Sequence, residues 1–323
     1  MNSNYILEVE CDWHGKLAAG NLECVVHALE SGKVIYLPHL SFPICDNEIS
    51  LLDSKWAHPK IKNITCKPNG RLKGLNRDVL KRLKQSRPLF YSSKKYVNRD
   101  LIEAEEKIKL DFTNLINRFT RLSLSLINGL VPEYSEHLTM APTSLRLHRT
   151  EMRCSSWRSD DSRLHVDAFP SRPVADKRIL RVFANINPNN EARIWRLGEP
   201  FEQLAKRFMP QISPYRFSLA KLLQLIGVTR SLRTPYDDIM LKFHDAMKAS
   251  SYYQHKCEQI VMPFASGSVW ICFSDQVAHA ASSGQFMLEQ SFFIRTQNMV
   301  TAENSPLKIL ERLTQKSLLG PSN

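Results

Sequence analysis

The sequence lacks the usual marks of export and of membrane insertion. Its first residues, MNSNYILEVECDWH, include acidic side chains and contain no continuous apolar run, which is not the pattern of a secretory signal. No uncharged apolar stretch reaches the roughly 20 residues that a membrane-spanning helix needs. We therefore expect a cytoplasmic protein that at most lies on the surface of a membrane.

Patterns of cysteine and of other metal-binding residues are also scarce. The chain has 7 cysteines, an odd number at wide spacing, and no two of them form a Cys-x-x-Cys pair. A disulfide framework or a structural zinc site is therefore not expected, and a reducing compartment suits the chain best. The sequence has no HExxH motif, which argues against a zinc hydrolase. It also has no zinc finger, no RNP-like aromatic strand and no basic tail, so nucleic acid is not the expected partner.

Positive charge is what the sequence has in excess. Lysine and arginine number 44 against 32 acidic residues, which gives a net charge of +12. Such a protein favours an anionic partner, whether nucleic acid, an acidic membrane surface or a charged small substrate. The segment 55–95 is strongly basic around Lys60, Lys73 and Lys81. It is either a solvated face or a surface that contacts an anion.

Hydrophobic periodicity predicts a mainly β chain with flanking helices. Short strands that are not separated by regular helices indicate a sandwich or barrel rather than a doubly wound sheet. Strands are predicted at residues 144–150, 179–186, 259–264, 268–273 and 285–294, and helices at residues 215–228, from Thr234 onward and at 305–316.

One longer helix is predicted from Asp100 onward. Apolar residues recur every three or four positions as far as Leu126, Gly129 suits the position just past the end, and Pro132 prevents continuation. The apolar stripe is expected to pack under a sheet as a buttress. We accordingly divide the chain into a mixed α/β extension, residues 1–99, packed on a jelly-roll domain with buttressing helices, residues 100–323.

A His-x-Asp motif supplies the candidate chemistry. His165 and Asp167 are separated by one residue, so on a strand both side chains would share a face and could hold one ion. A glycine turn, an apolar strand and then His279 follow later in the chain, which is how a jelly roll presents a second histidine. Two histidines and one carboxylate leave positions open on ferrous iron for a chelating 2-oxo acid and for dioxygen.

Other interpretations of these residues are open at this point. A short motif of this kind also occurs by chance, and His165 alone could be a hydrogen-bonded core histidine. A zinc hydrolase could use the same residue types, although no motif places a general-base glutamate. The pair His244-Asp245 lies in a helical segment, where adjacent side chains diverge by about 100°, so we interpret it as surface.

Two long stretches of the chain, residues 156–208 and 267–293, contain distinctive motifs. The motifs are DDSRLHVDAFPSRP, at 160–173, and DQVAHAASSGQ, at 275–285. Both stretches closely resemble the Kdo hydroxylase family, whose members act on 3-deoxy-D-manno-octulosonic acid (Kdo) of lipopolysaccharide. A weaker similarity at residues 56–74 suggests that the family covers most of the chain.

The resemblance implies a fold, a reaction and a set of ligands. The expected fold is a double-stranded β-helix, a cupin-like jelly roll, with Fe(II) held by His165, Asp167 and His279. The expected reaction consumes 2-oxoglutarate and O2, with ascorbate as reductant, and hydroxylates C3 of the outer Kdo of Kdo2-lipid A. Such a substrate would place the enzyme at the cytoplasmic face of the inner membrane of a Gram-negative cell.

The residues that hold 2-oxoglutarate are harder to assign. Many oxygenases of this fold place an arginine about ten residues after the last histidine, but the first arginine after His279 is Arg295. Gln285 is expected near that place, and an amide alone is a poor anchor for a carboxylate. We therefore expect Arg181 or Arg193 to bind the far carboxylate, with Asn185 as a supporting donor.

Several arginines surround the His-x-Asp motif in the sequence. The planar guanidinium group binds carboxylates and phosphates through two hydrogen bonds, so these arginines are candidates for contacts with the substrate. They are Arg149, Arg153, Arg158, Arg163 and Arg172. Two other functions remain open: an oxygenase of the same fold that acts on another anionic substrate, and a basic, non-catalytic binding protein with a degenerate jelly roll.

Overall fold

The computed structural model describes residues 4–58, 63–76, 78–79, 94–151 and 156–320, and of residues 94–103 it describes the backbone only. The strands are β1 (Ile6–Glu8), β2 (Val34–Leu37), β3 (Ile64–Cys66), β4 (Leu72–Lys73), β5 (Thr139–Met140), β6 (Thr143–Arg146), β7 (Lys177–Asn185), β8 (Arg193–Gly198), β9 (Gln259–Phe264), β10 (Val269–Phe273), β11 (His279–Ser283) and β12 (Met287–Arg295). The helices are α1 (Leu22–Glu30), α2 (Asp46–Ile49), α3 (Lys94–Leu130), α4 (Phe201–Phe208), α5 (Phe217–Leu225), α6 (Pro235–Ala249), α7 (Ser251–Lys256) and α8 (Pro306–Thr314).

Within the described ranges, the strands form a nine-stranded sheet and a three-stranded sheet. The larger sheet has the order β1-β2-β10-β7-β12-β6-β3-β4, with β5 beside β12, and the smaller sheet has the order β11-β8-β9. Aromatic side chains join the two sheets, since Phe264 of the smaller sheet stacks on Trp270 of the larger at 4.1 Å between ring centroids. The prediction of a mainly β fold with flanking helices and a jelly-roll core is confirmed.

Helix α3 packs its apolar stripe against the outer face of the larger sheet. Phe112, Leu115, Ile116 and Phe119 are fully buried in the same cluster as core residues of β6, β7 and β12. The predicted buttress is therefore confirmed, although the helix already begins at Lys94. The prediction that Gly129 lies past the helix end is wrong, because the helix continues to Leu130.

The packing of the N-terminal segment explains why residue 129 is a glycine. A Cβ atom on Gly129 would lie 1.8 Å from the carbonyl oxygen of His14, and one on Gly15 would lie 2.5 Å from the backbone of Gly129. Side chains are therefore excluded on both sides of this contact. The glycine pair lets the N-terminal segment cross the last turn of α3 at backbone distance.

Strands from the N-terminal part of the chain belong to the larger sheet. Strand β1 pairs in parallel with β2, β2 pairs antiparallel with β10, and β3 pairs antiparallel with β6. The N-terminal part thus supplies both margins of the larger sheet, while the jelly-roll strands lie between them. The predicted boundary between residues 99 and 100 falls inside α3, and the division into two regions stays a prediction.

A second cluster of helices covers the other side of the jelly roll. Helices α4, α6 and α8 pack together with Leu164, Val166, Ala278 and Ala280. These four small or apolar residues flank His165 and His279 in the sequence. Among the described residues, no helix is both long enough and apolar enough to cross a membrane.

Candidate metal centre

His165 and His279 are brought together by direct backbone pairing. The amide of each residue donates to the carbonyl of the other, at 3.0 and 2.9 Å. Alternation then places the apolar neighbours Leu164 and Val166 among the helices and leaves the intervening His165 free to face the other way. The expectation that His165 and Asp167 lie on a regular strand is wrong, since His165 forms only an isolated bridge with His279.

The side chains of His165, Asp167 and His279 converge on one point. One ligand atom from each of the three lies within 4.8 Å of the others, and His165 Nε2 is 3.7 Å from Asp167 Oδ1. The rings of the two histidines are 4.7 Å apart at their centroids. This is the donor set of a site with two histidines and one carboxylate, and its size suits a single ion.

The backbone fixes which nitrogen of each histidine is available. His165 Nδ1 lies 2.8 Å from the carbonyl oxygen of Arg163, and His279 Nδ1 lies 2.8 Å from that of Val277. A carbonyl oxygen accepts only, so each Nδ1 carries the proton and donates it. In the neutral ring the lone pair is then on Nε2, the atom that would bind a metal.

Burial keeps both rings neutral. It lowers the pKa of His165 well below its ordinary value, and the neighbouring His279 and Lys248 lower it further. Burial likewise lowers the pKa of His279. A neutral imidazole is the form that binds a metal ion, so the protein environment favours that form before any ion arrives.

Asp167 is held in its charged form by Arg181. Burial alone would raise the pKa of this carboxyl, but the Arg181 guanidinium, whose Nη2 is 2.9 Å from Asp167 Oδ2, and the two histidines hold it well below the usual range. Arg181 also pairs with Glu289 on β12. The carboxylate therefore keeps its second oxygen, Oδ1, toward His165.

Helices outside the sheets hold the His-x-Asp segment in place. Gln254 of α7 accepts a hydrogen bond from the Leu164 amide at 2.7 Å and donates to the Leu164 carbonyl at 3.0 Å. The ring of His244, on α6, meets the ring of His165 edge-on at 5.4 Å. The side chain of His244 is only 13% exposed, so the interpretation of His244 as a surface residue is wrong.

The turn before His279 is fixed by a buried ion pair. Arg178 donates from Nε to Asp275 at 2.6 Å and from Nη2 to Gln276 at 2.6 Å. Both partners belong to the DQ pair that begins the second family-like motif. This part of the motif thus positions the strand that starts at His279 rather than contributing to the metal set itself.

An aromatic wall borders the site on the side of the smaller sheet. Trp195 of β8 stacks on His279 at 5.1 Å with an angle of 22° between the rings. Phe183 and Trp270 pack behind Trp195, at 5.0 and 5.4 Å. The wall limits the movement of His279 and keeps water from this side of the ring.

The three converging residues line a cavity of about 280 Å³. Its lining combines the aromatic wall with several charged residues. The lining residues are Asn63, Arg146, Asp161, His165, Asp167, Phe169, Arg181, Phe183, Arg193, Trp195, His279, Ala281, Met287 and Glu289. A cavity of this size and mixed lining suits a small charged organic ligand beside a metal ion.

Arg193 stands out in this cavity because its guanidinium group is buried with few partners. Its Nη2 donates to Thr150 Oγ1 at 2.9 Å, while Nε and Nη1 have no hydrogen-bond partner among the described residues. Burial and the nearby Arg146 lower its pKa to about 9. The indole nitrogen of Trp195 is likewise buried without a partner. An anion bound here would satisfy these donors.

The other residues expected to assist 2-oxoglutarate are used elsewhere. Asn185 donates to the carbonyl oxygens of Glu191 and Phe264, at 2.9 and 3.0 Å. Gln285 donates to the carbonyl of Leu147 at 2.8 Å. Neither residue lines the cavity, so the structure does not bring them to the three converging residues.

Four of the five arginines predicted to bind the substrate lie outside the cavity lining. Arg149 pairs with Glu151 and Glu191, and Arg163 donates to the carbonyl of Lys248 at 2.8 Å. Arg158 lies over the Trp157 ring and pairs with Asp245, and Arg172 is exposed. Arg153 lies outside the described residues.

Arg146 and Glu289 are among the cavity residues that the sequence interpretation missed, as are Asp161 and Trp195. Arg146 joins Asp161 at 2.9 Å and Glu289 at 2.5 Å, and Glu289 also pairs with Arg181. The alternation of apolar and polar residues along 144–147 could have identified Arg146. Leu145 and Leu147 are core residues, so Arg146 between them had to face the interior of the jelly roll.

The donor set fits iron(II) better than a structural zinc site. Structural zinc is closed by four ligands, commonly with cysteine, whereas here two neutral imidazoles and one carboxylate border a cavity. The unpartnered donors of Arg193 and Trp195 lie in the same cavity. Metal and organic anion could therefore bind side by side.

Comparison with known proteins gives a consistent result. The family model described as 3-deoxy-D-manno-oct-2-ulosonic acid (Kdo) hydroxylase matches residues 12–317. No curated protein matches the sequence.

Solved structures of the Kdo hydroxylase KdoO, a non-heme Fe(II) alphaketoglutarate dependent dioxygenase, resemble this chain over nearly its full length. The apo form and the complex with alphaketoglutarate and Fe(III) are each 34% identical, with 99% of both chains covered and a TM-score of 0.84. The complex with cobalt(II) is 35% identical, with 98% of both chains covered and a TM-score of 0.84. Since the family model and these structures cover almost the whole sequence, the chain belongs to the Kdo hydroxylase family.

Proposed function

We propose that this protein is an Fe(II)- and 2-oxoglutarate-dependent dioxygenase that hydroxylates Kdo. The observation that carries the proposal is the convergence of His165, Asp167 and His279 at a cavity that also holds unpartnered cationic donors. Membership in the Kdo hydroxylase family supports both the cofactors and the sugar.

The three converging residues would hold the iron. His165 and His279 would bind through Nε2, because their Nδ1 protons are engaged by backbone carbonyls. Asp167 would bind through the oxygen that Arg181 leaves available. Bound Fe(II) and 2-oxoglutarate would supply the oxidising power: one atom of O2 would enter a carbon–hydrogen bond of the sugar, and the other would go to succinate as 2-oxoglutarate loses CO2. Ascorbate, as reductant, would keep the iron in its ferrous form.

Arg193 would anchor the far carboxylate of 2-oxoglutarate. Arg193 is buried, lines the cavity and has two nitrogens without a hydrogen-bond partner among the described residues. Arg181 has only its Nε in that state, because its other two nitrogens pair with Asp167 and Glu289. Trp195 Nε1 would give a further hydrogen bond. The supporting roles of Asn185 and Gln285 would then be indirect, through the loops that they tie together.

The protein's own contribution to the reaction would be orientation and exclusion of water. The aromatic wall of Phe183, Trp195 and Trp270 borders the site with little access for solvent. The ion pairs among Arg146, Asp161, Arg181 and Glu289 fix the polar side of the cavity. If the substrate enters at the mouth of the cavity, the carbon–hydrogen bond that it presents there would be the nearest bond to oxidise.

We further propose that the substrate is Kdo2-lipid A and that the enzyme hydroxylates C3 of its outer Kdo. The enzyme would reach this lipid at the surface of the inner membrane. The net charge of +12 supports an anionic lipid substrate. Arg149, Arg153, Arg158, Arg163 and Arg172 remain the proposed contacts for its carboxylates and phosphates. Arg172 is exposed and close in sequence to Phe169, which lines the cavity.

An anaerobic titration tests the chemistry directly. Addition of Fe(II) and 2-oxoglutarate to the purified protein should give the weak visible charge-transfer band of the chelated complex. With oxygen and Kdo2-lipid A in detergent, mass spectrometry should find one added oxygen on the Kdo. The proposal fails if the band is absent, or if none of the Kdo-bearing lipids gains oxygen while succinate forms.

A further inference from the structure

Helix α5 and the turn that follows it expose an unusual amount of apolar surface. Half of the large apolar side chains that are exposed among the described residues lie within residues 217–232. Leu225 is 75% exposed and Ile226 is 62% exposed. We call this surface the apolar ridge; it consists of Phe217, Leu219, Leu222, Leu225, Ile226, Val228 and Leu232.

The apolar ridge is not an ordinary helix face turned toward a core. In α5 only Ala220 is buried and Leu223 is half-buried, so the helix rests on the protein through these two side chains. Its other large apolar side chains, Phe217, Leu219, Leu222 and Leu225, are exposed. Scattered exposed apolar residues are common, but a contiguous patch of this kind marks a surface that meets a partner.

The exposed charges on the segment that forms the apolar ridge are of one sign. Asp238, which lines the groove beside Leu219, is only 15% exposed and pairs with Lys242. Between Glu202 and Asp237 the sequence contains no acidic residue. The basic residues Arg216, Lys221 and Arg230 are exposed on and beside α5. Apolar side chains flanked by exposed lysine and arginine, with no exposed acid in the same segment, match the interface of a bilayer that carries anionic headgroups. A protein groove would more commonly present charges of both signs around its apolar surface.

The apolar ridge is anchored beside the mouth of the metal cavity. The Arg230 amide donates to the Ser171 carbonyl at 3.0 Å, and Arg233 Nη2 donates to the Pro170 carbonyl at 2.7 Å. These carbonyls directly follow Phe169, which lines the cavity. The ridge segment therefore contacts the chain three and four residues after Asp167, so a partner bound to the ridge would lie near the metal site.

We propose that the apolar ridge inserts into the headgroup region of an anionic lipid bilayer and holds the cavity mouth at the membrane surface. The inference rests on the proposed function, since a lipid-linked sugar is the substrate that would need such docking. Leu225 and Ile226 would enter the acyl boundary, while Lys221 and Arg230 would contact the lipid phosphates.

Vesicle flotation tests this docking without the need for turnover. The full-length protein should float with vesicles of phosphatidylethanolamine and phosphatidylglycerol, and much less with vesicles of phosphatidylcholine. The double variant Leu225→Gln with Ile226→Gln should lower the partition coefficient at least about tenfold, because each side chain loses favourable apolar burial. Lys221→Gln with Arg230→Gln should lower it about fivefold for each charge, and only at low salt.

Matched variants control for a general loss of apolar surface or charge. Val261→Gln with Val300→Gln removes two side chains that are also more than half exposed but lie elsewhere. Lys256→Gln with Lys316→Gln removes two exposed charges away from α5. Both controls should float like the wild type.

The outcomes separate docking from catalysis. The docking proposal is overturned if the wild type does not float, or if the control variants lose as much binding as the ridge variants. It is also overturned if the wild type is a dimer that the Leu225→Gln, Ile226→Gln variant dissociates, since the ridge would then join two copies. The Fe(II) and 2-oxoglutarate band is read on the same samples. Its absence from the wild type would reject the proposed function whatever the vesicles show.

Discussion

At the scale of single residues, hydrogen bonds to the backbone fix the two candidate histidine ligands in the form that binds a metal. Each histidine donates its Nδ1 proton to a carbonyl two residues earlier in the chain, so the free lone pair is on the nitrogen that faces the site. Asp167 is kept ionised by Arg181. The three side chains therefore need little rearrangement or deprotonation when an ion binds.

Removal of any one of the three candidate ligands should abolish turnover. We expect His165→Ala, Asp167→Ala and His279→Ala to lose succinate production, because each leaves the ion with two protein ligands. Circular dichroism should show that the fold persists. His255→Ala is the matched control, since this exposed histidine of α7 lies outside the metal set. Near-normal turnover by one of the three variants would remove that residue from the proposed set.

Substitutions of Arg193 and Arg181 should separate cosubstrate binding from iron binding. Arg193→Ala should raise the requirement for 2-oxoglutarate by one to two orders of magnitude, roughly the 1.5–3 kcal/mol of a charged hydrogen bond, with iron affinity unchanged. Arg181→Ala should weaken iron binding instead, because Asp167 loses its orienting partner.

Steady-state kinetics at varied 2-oxoglutarate and an iron titration of each variant measure the two effects. Arg121→Ala, which removes an exposed arginine of α3, serves as the control. If Arg193→Ala keeps a normal dependence on 2-oxoglutarate, the anchor is another arginine of the cavity, and Arg146 is the next to test.

The sequence predicted the metal set more completely than it predicted the cavity around it. His165 and Asp167 are neighbours in the chain, and the motif around His279 is long, so both could be recognised without a fold. Arg146 and Glu289 meet only because β6 and β12 pair at one particular register. A register between strands so distant in sequence depends on the whole sheet and is not visible in a local pattern.

At the scale of elements, periodicity predicted those helices and strands that are long or locally capped. The strand at 259–264 agrees with β9 at both ends, and Thr234 caps α6 as expected. The short strands β1, β3 and β4 were missed, because two or three residues carry no measurable alternation. They are strands only because a neighbouring strand supplies their hydrogen bonds.

The contact between α3 and the N-terminal segment gives a test of this element. Gly129→Ala should destabilise the protein by roughly 1–3 kcal/mol, because the new methyl group would overlap the carbonyl of His14 and force the segment away. Elsewhere in a helix the same substitution would be stabilising. Asn114→Ala, at an exposed position of α3, should change stability by less than about 0.5 kcal/mol. Urea unfolding compares the two, and equal midpoints would show that the crossing relaxes freely.

At the scale of the whole molecule, the larger sheet joins the predicted extension to the predicted jelly roll. Ile35 of β2 is fully buried, and it pairs with Leu7 of β1 on one side and with Ile271 of β10 on the other. Strand β10 leads into the turn that ends at His279. The stability of the candidate metal centre should therefore depend on residues far from it in the chain.

We accordingly expect the chain to unfold as one unit. Ile35→Ala in the full-length protein should lower its stability by roughly 2–5 kcal/mol, the cost of a cavity in a packed core. The fold around Fe(II) should be lost in the same transition as the rest of the chain, since β2 and β10 share hydrogen bonds.

A chain that begins at residue 100 should not fold, because β10 and β6 would each lose a neighbouring strand and α3 would lose the partners of its apolar stripe. Thermal unfolding followed both by circular dichroism and by the Fe(II) and 2-oxoglutarate band measures this coupling. Two separate transitions, or a soluble 100–323 fragment that binds iron, would instead establish the two predicted regions as independent domains.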